Sequence, residues 1–301
     1  MKRRELLRWG LLGSGAAGLG RMLLNPRAQA SPLTLGAAPG AASANRLHVL
    51  ATADFGSGNS RQRAVGSQMG AINQRDRVDL VILGGDNIYA TPNWDDGHLD
   101  GIEATFFQPY RELIAAKVPF HAVLGNHDIR TANGTPQVAF KPFGMKGRWY
   151  TVRQGPVEFF MLDTNVNVPW QQQLPWLKAA LAASTAPWKV VVGHHPIYSA
   201  GLYGDDRSLN AKLTPLFKRY GVQLYINGHE HNYERTKVID GTTYLTVGGG
   251  GASLRPVVAN ERTARALSTH SFADLEFAGD TLTIKGIDSQ GKLIDRTEIK
   301  R

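Results

Sequence analysis

Short apolar runs alternate with longer amphipathic stretches along most of the chain. The apolar runs predict strands at residues 47–53, 78–83, 120–124, 157–162, 189–192 and 222–226, with 149–153 and 157–162 forming a hairpin. The amphipathic stretches predict helices at 61–75, 102–116, 171–183 and 209–220. Three later runs, at 242–247, 272–277 and 281–287, predict a β meander. This order indicates a mixed sheet, or two stacked sheets, with helices outside.

Polar side chains directly follow five of these apolar runs. The five motifs are Asp54-Phe55-Gly56, Gly85-Asp86-Asn87-Ile88-Tyr89, Gly125-Asn126-His127-Asp128, Val191-Val192-Gly193-His194 and Gly228-His229-Glu230-His231. Active sites of such folds gather at the carboxyl ends of strands, so we expect the five motifs to meet. Their carboxylates, imidazoles, phenol and amide are enough ligands for two metal ions that share one site. A ligand set large enough for two metal ions favours a metal-dependent hydrolase that attacks phosphate esters.

The candidate ligands divide into two sets of unlike charge. The first set has three anionic oxygens and one nitrogen, which favour a trivalent ion such as Fe(III): Asp54, Asp86, Tyr89 and His231. The second set has one shared anion and three neutral ligands, which suit Fe(II), Zn or Mn: Asp86, Asn126, His194 and His229. Asp86 is the expected bridge, because one carboxylate offers two oxygens. Tyr89 binds as phenolate only to a strongly Lewis-acidic cation, and a tyrosine of the core is the alternative.

Three further polar residues adjoin these ligands. His127 is the candidate for contacting the phosphate and protonating the leaving group, with Asp128 orienting it. His195 follows the ligand His194, and strand alternation aims it away from the metals. Support of the ligands and simple packing are both open for His195.

The five motifs resemble those of the purple acid phosphatases, a branch of the calcineurin-like metallophosphoesterases. The family patterns D-x-G, G-D-x-x-Y, G-N-H-[DE], V-x-x-H and G-H-x-H occur here in order between residues 54 and 231. Gly56 and Tyr89 are the most specific, because related phosphodiesterases usually have a histidine in place of the glycine and lack the tyrosine. The resemblance implies a compact α/β (α+β) fold with four layers, two central mixed sheets flanked by helices. It also implies an Fe(III)–M(II) centre and hydrolysis of phosphomonoesters, often at acid pH.

One position departs from the family pattern. Many members carry a second catalytic histidine nine residues after the V-x-x-H ligand, and here the ninth residue after His194 is Tyr203. A phenol is a much poorer acid than imidazolium at low pH. Tyr203 and His195 are the candidates to replace that histidine. The change leaves open the pH dependence of the activity and whether phosphodiesters are substrates.

The N-terminal segment predicts export. Arg3 and Arg4 precede a modestly apolar stretch and the small-x-small site Ala28-Gln29-Ala30, so residues 1–30 resemble a twin-arginine signal, with an ordinary secretory signal as the alternative. The stretch is too short and too Gly-rich for a stable membrane span. Residues 31–46 predict a flexible tail and residues 47–301 the catalytic domain. A periplasmic or secreted protein is therefore expected, with the export machinery as one partner.

Composition excludes several classes of function. The chain has no cysteine, which excludes disulfides, thiolate metal sites and cysteine nucleophiles. Residues 1–30 contain six basic side chains and one acidic side chain, so they account for +5 of the formal charge of +9. The remaining charge is too mild to indicate a nucleic-acid partner. The expected partners are a small phosphorylated substrate and its product, inorganic phosphate; no pattern in the sequence indicates an oligomeric state.

The sequence therefore predicts hydrolysis of phosphate monoesters by a metal-bound hydroxide at a binuclear centre, as in an acid phosphatase. One alternative is an exported phosphodiesterase or phosphoprotein phosphatase with Zn or Mn at both sites. The other is a non-enzymatic protein of the cell envelope that binds metal or phosphate.

Overall fold

Two stacked β-sheets form the centre of the protein, which a computed structural model describes over residues 46–301. The predicted export signal and all but the last residue of the predicted tail lie outside the described residues. The strands are β1 Arg46–Thr52, β2 Leu80–Leu83, β3 Phe120–Ala122, β4 Tyr150–Gln154, β5 Val157–Met161, β6 Trp188–Val192, β7 Leu224–Asn227, β8 Tyr233–Thr236, β9 Thr243–Val247, β10 Thr263–Leu267, β11 Ser271–Ala278, β12 Thr281–Asp288 and β13 Leu293–Lys300. The α-helices are α1 Ser60–Arg75, α2 Arg111–Ala115, α3 Thr135–Ala139, α4 Trp170–Ala183 and α5 Arg207–Tyr220.

Both sheets are mixed. The first has the strand order β13-β12-β11-β1-β2-β3, in which β1, β2 and β3 are parallel and the remaining pairs antiparallel. The second has the order β10-β8-β9-β7-β6-β5-β4, in which β5, β6, β7 and β9 are parallel. Each sheet thus contributes a block of parallel strands, and the polar motifs follow strands of these two blocks.

Apolar side chains fill three core layers. Val49 of β1 and Ile226 of β7 belong to the layer between the sheets. Aromatic residues dominate the layer between the first sheet and helices α1 and α2, where Phe106 packs edge-to-face on Phe120 with ring centres 5.0 Å apart. Leucines of α4 and α5 cover the second sheet. The molecule is therefore ordered helix, sheet, sheet, helix, and the predicted four-layer α/β fold is confirmed.

Residues 102–116 do not form the single helix that their pattern predicts. They comprise a π-helical turn, Glu103–Phe107, followed by the short helix α2, which begins at Arg111. Pro109 lies between them and has no N–H for a helical hydrogen bond, while its ring clashes with the preceding turn of a continuous helix. The break is therefore a local consequence of one residue.

Two strand predictions also need correction. The pattern predicts that residues 242–247 belong to a meander, but they form β9, which pairs with β7 and β8 in the second sheet. The third strand of the meander is β13. The pattern also missed β8 and β10. Strands β8, β10 and β13 carry charged and threonine side chains at alternate or exposed positions, so none of them presents a continuous apolar run. In addition, β10 and β13 are edge strands.

Trp188 joins the two sheets near the amino end of β6, far along the strand from the motif that follows it. Its indole Nε1–H donates a hydrogen bond of 3.0 Å to the carbonyl of Gly279, and its ring packs edge-to-face on Phe277 at 5.6 Å. The side chain is completely buried. Trp188 therefore connects β6 to the β11–β12 hairpin of the other sheet.

We expect Trp188→Ala to lower the free energy of unfolding by about 3–5 kcal/mol, because a large buried ring leaves a cavity. Trp188→Phe keeps part of the ring and loses the hydrogen bond, which predicts a smaller loss of about 1–2 kcal/mol. Urea denaturation of the purified variants measures both values. A loss below about 1 kcal/mol for the alanine variant would show that the sheets do not depend on this contact.

Candidate metal centre

Five loops meet where the parallel strands of the two sheets end. The loops after β1, β2 and β3 contribute Asp54, Asp86 with Tyr89, and Asn126, and the loops after β6 and β7 contribute His194, and His229 with His231. All seven predicted ligands therefore lie in one cluster between the carboxyl edges of the sheets.

The backbone is strained at three of these positions. Asp54, Asp86 and His229 have φ angles of 55°, 54° and 67°, a left-handed conformation that non-glycine residues rarely adopt. Such strain persists only where neighbouring bonds hold it. The His229 N–H donates to Asp54 Oδ2 at 2.8 Å, and the Asp54 N–H donates to the carbonyl of Gly85 at 3.0 Å. Backbone strain thus coincides with the strand ends that carry the candidate ligands.

The hydroxyl of Tyr89 lies at the centre of an oxygen-rich group. It is 3.1 Å from Asp54 Oδ1, 3.0 Å from Asp86 Oδ2 and 3.3 Å from His231 Nε2. The other ring nitrogen of His231 donates to the carbonyl of Ser253 at 2.7 Å, which turns Nε2 toward the carboxylates. This group is the set predicted for the trivalent ion.

The second group is richer in nitrogen. Asn126 Oδ1 lies 2.9 Å from His229 Nδ1 and 3.1 Å from His194 Nε2. His194 donates from Nδ1 to the carbonyl of Gly84 at 2.9 Å, so Nε2 faces the group. Asp86 Oδ2 is 3.4 Å from His194 Nε2 as well as close to Tyr89, which places this carboxylate between the two groups as a bridge would be.

The buried charges of the site act strongly on one another. Burial opposes a charged His194, but the carboxylates of Asp86 and Asp54 outweigh it and raise the pKa of that imidazole to about 10. Burial raises the pKa of Tyr89, and the same two carboxylates raise it further, so the phenol keeps its proton unless a cation joins the cluster. Burial and the positive charge of His194 lower the pKa of His229. The carboxylates therefore favour positive charge within the cluster.

The donor sets fit metal ions in both chemistry and spacing. Ligands about 2.1 Å from one ion lie roughly 3 Å from each other at octahedral or tetrahedral angles. The neighbouring donor atoms within each group are 2.9–3.4 Å apart. Two buried carboxylates beside a phenol also need a cation to offset their charge.

One ring nitrogen of His127 faces the cluster, and the other faces Asp96. Its Nδ1 donates to Asp96 Oδ1 at 2.8 Å, and its Nε2 lies 4.0 Å from Asp86 Oδ2. The ring packs edge-to-face on Tyr89 at 4.6 Å. Arg130 forms an ion pair with the other oxygen of Asp96 at 2.5 Å. The prediction that Asp128 orients His127 is therefore wrong, since Asp96 makes this bond. No motif in the sequence singled out Asp96.

Asp128 instead joins the loops that follow β2 and β3. Its buried carboxylate accepts hydrogen bonds from the backbone N–H of Asn87 at 2.9 Å and of Gly125 at 2.8 Å, and from the amide of Gln137 at 2.9 Å. Burial and the negative charge of Asp86 raise the pKa of Asp128 to about 7. The residue therefore supports the loops that carry Asp86 and Asn126.

His195 lies beside the ligands, contrary to the direction expected from strand alternation. Its ring centre is 4.9 Å from that of His194 and 4.6 Å from that of His229, and its Nδ1 is 2.9 Å from the hydroxyl of Thr164. The reason is that β6 ends at Val192, after which the chain bends and alternation no longer applies. Burial, together with the charge of His194, lowers the pKa of His195 to about 3.

Tyr203 stacks on the far side of the nitrogen-rich group. Its ring is nearly parallel to that of His229, with centres 4.6 Å apart, and it remains 56% exposed. The guanidinium of Arg255 lies 4.9 Å from the centre of the Tyr203 ring. No motif in the sequence pointed to Arg255, which comes from the long loop between β9 and β10.

Gly56 has a steric role that the motif alone does not reveal. A Cβ at this position would overlap the backbone carbonyl of Asn87, so only glycine lets the loop after β1 pack against the loop after β2. This close approach brings Asp54 and Asp86 together.

Comparison with known proteins agrees with this geometry. The profile of the family described as Calcineurin-like phosphoesterase matches residues 47–233. Purple acid phosphatase 7 of Arabidopsis thaliana is 34% identical over 242 residues, which cover 69% of this chain and 71% of that protein. The chain belongs to the purple acid phosphatases. The predicted family and the predicted enzyme class, a metal-dependent phosphatase, are thereby confirmed, and membership implies a binuclear metal centre.

Two solved structures share the fold. Purple acid phosphatase PPD1 from yellow lupin (Lupinus luteus) superposes with a TM-score of 0.72 at 21% identity and covers 85% of this chain and 54% of its own. GAP50, the anchor in the inner membrane complex of Plasmodium, superposes with a TM-score of 0.73 at 22% identity and covers 85% and 89%. At these identities the likeness concerns the fold alone, so the donor atoms described above carry the chemical argument.

We expect Asp96→Asn to lower kcat by about 10–100-fold with little change in KM, because Asp96 holds His127 in position rather than binding substrate. The loss should be larger for an alkyl phosphate than for an aryl phosphate, since an alkoxide needs the proton more. Steady-state kinetics with glycerol phosphate and phenyl phosphate measure both effects.

Asp95→Asn is the matched control, because Asp95 is the exposed neighbour of Asp96 in the same loop. Equal losses for the two leaving groups, or for the two variants, would contradict a role in positioning the proton donor.

Proposed function

We propose that this purple acid phosphatase hydrolyses phosphate monoesters with Fe(III) bound by Asp54, Asp86, Tyr89 and His231, and Fe(II), Zn or Mn bound by Asp86, Asn126, His194 and His229. The observation that carries the proposal is the Tyr89 hydroxyl, which lies within 3.3 Å of two carboxylates and one imidazole. A phenol in such a place becomes a ligand when a strongly Lewis-acidic ion offsets the neighbouring negative charge.

Two metal ions in these sets would clamp the phosphate oxygens and lower the pKa of a bound water. The side chains of the protein supply the remaining steps. Nε2 of His127 faces the cluster, while Nδ1 donates a hydrogen bond to Asp96 Oδ1, which holds the ring in this orientation. His127 therefore donates a proton to the leaving oxygen. Asp128 holds together the loops that follow β2 and β3. His195 packs against His194 and His229, and the proposed mechanism requires no proton transfer from it.

The principal alternative is a phosphodiesterase or phosphoprotein phosphatase with Zn or Mn in both sets. It shares the nitrogen-rich group but does not need the phenol of Tyr89. A non-enzymatic envelope protein would need neither the His127–Asp96 pair nor turnover. The position of Tyr89 at the centre of the oxygen-rich group favours the iron version.

We expect the purified protein to contain iron and to show a visible absorption band from phenolate-to-Fe(III) charge transfer, which Tyr89→Phe should abolish. Metal analysis and visible spectra of the two proteins measure this. Tyr110→Phe is the control, because Tyr110 is a buried tyrosine whose hydroxyl has no hydrogen-bond partner within residues 46–301. A colourless, iron-free protein that is fully active with Mn would support the alternative.

The proposed location is outside the cytoplasm, because residues 1–30 have the pattern of an export signal. Within residues 46–301 there is no helix with the length and apolar character needed to span a membrane.

We expect Arg3→Lys combined with Arg4→Lys to keep the protein in the cytoplasm, because the twin-arginine route reads this pair. Immunoblots of cytoplasmic and exported fractions measure the distribution, with Arg8→Lys as the control. Unchanged export of the double variant would indicate the ordinary secretory route instead.

A further inference from the structure

A cleft of about 430 Å³ opens beside the nitrogen-rich group, on the side away from the oxygen-rich group. His195, Tyr203, Arg207 and His229 line it, together with the carboxylates Asp205 and Asp206. Tyr203 occupies the position where the family resemblance predicts a second catalytic histidine. With tyrosine at this position, the site lacks the second imidazole that the family pattern supplies.

Arg255 places a cation beside the ring of Tyr203, which lines this cleft. Its guanidinium lies 4.9 Å from the centre of the Tyr203 ring, and its Nη1 donates to the backbone carbonyl of His229 at 2.5 Å. Its backbone N–H donates to the carbonyl of His231 at 3.0 Å. These contacts fix the arginine against both histidines of the G-H-x-H motif and against the aromatic face of Tyr203.

The charge of Arg255 has no protein counterpart in the described part of the chain. No carboxylate within residues 46–301 lies within ion-pair distance of it, whereas Arg262, which stacks on Tyr198 at 5.1 Å, is neutralised by Asp205 at 2.7 Å. A half-buried guanidinium with no carboxylate partner is open to an anionic ligand from solution. A guanidinium has five N–H donors, and Arg255 uses one of them for the His229 carbonyl.

We propose that Arg255 is a substrate-binding residue that donates to the phosphate group on the Tyr203 side of the metal centre. Its positive charge is permanent, so it replaces a histidine that would be charged only at low pH. Tyr203 acts as the aromatic support of the guanidinium, and its hydroxyl is not needed for this role. The proposal rests on the phosphatase function proposed above for the bound anion, but binding can be measured without turnover.

The test measures the dissociation constant of inorganic phosphate for the metal-loaded full chain by isothermal titration calorimetry, at pH 5 and at pH 8. We expect Arg255→Gln to raise that constant by about 10–100-fold, as for loss of a charge-assisted hydrogen bond, and Arg255→Lys to raise it less. Arg255→Gln should weaken binding at both pH values, because the guanidinium stays charged at both. Tyr203→Leu should weaken binding, because it removes the aromatic face against which the guanidinium stacks.

Two arginines that also stack on tyrosines serve as controls. Arg219→Gln removes a guanidinium 5.4 Å from the Tyr220 ring at the distant end of α5, and Arg262→Gln removes the partner of Asp205 in the loop that carries Tyr203. Arg219→Gln should leave phosphate binding unchanged, and Arg262→Gln, which leaves Asp205 uncompensated in the cleft wall, should weaken it less than Arg255→Gln does. Equal weakening by Arg262→Gln and Arg255→Gln would overturn the proposal in favour of a general disturbance of the loop.

Metal content is measured for every variant, because Arg255 contacts the backbone of His229. Joint loss of metal and phosphate binding in Arg255→Gln would overturn the proposal, since it would assign the residue to the structure of the metal centre. Wild-type phosphate affinity in Arg255→Gln would overturn it as well. A protein that binds phosphate through Arg255 but hydrolyses neither phenyl nor glycerol phosphate would support this inference while refuting the proposed function.

Discussion

The carboxylate of Asp86 is the contact on which the rest of the site depends. One oxygen lies 3.0 Å from the Tyr89 hydroxyl and 3.4 Å from His194 Nε2, and the other accepts the backbone N–H of His127 at 2.9 Å. These partners follow strands of both sheets. A buried carboxylate without such partners would be strongly unfavourable, so the loops must converge on it for the fold to be stable.

That requirement explains the strained backbone and the glycines around the site. Asp54, Asp86 and His229 adopt left-handed conformations, and each places a candidate ligand in the common centre. Gly56 permits the close contact between the first two loops, and Asp128 ties the second loop to the third. The folding free energy of the stacked sheets therefore supports a cluster that would not form in a short peptide.

The two sides of the centre differ in how they would treat a phosphoester. On one side, His127 has a carboxylate partner in Asp96 and can exchange a proton. On the other side, Arg255 and Tyr203 present a guanidinium and an aromatic ring. In the proposed mechanism, proton donation to the leaving group would fall to the His127 side and charge stabilisation to the Arg255 side.

The amino-acid sequence alone was enough to predict the four-layer α/β class, most of its strands and the family, because apolar runs and the motifs that end them are local features. It was also enough to bring seven candidate ligands to one place, since parallel strands deliver their carboxyl ends to a common edge. It could not show that Asp96 rather than Asp128 holds His127, that His195 turns toward His194, or that Arg255 reaches Tyr203. Each of these contacts joins loops distant in sequence, and the direction of a side chain in a bent loop follows from packing rather than from strand alternation. The tertiary structure decides them because only there do the loops of the two sheets share one space.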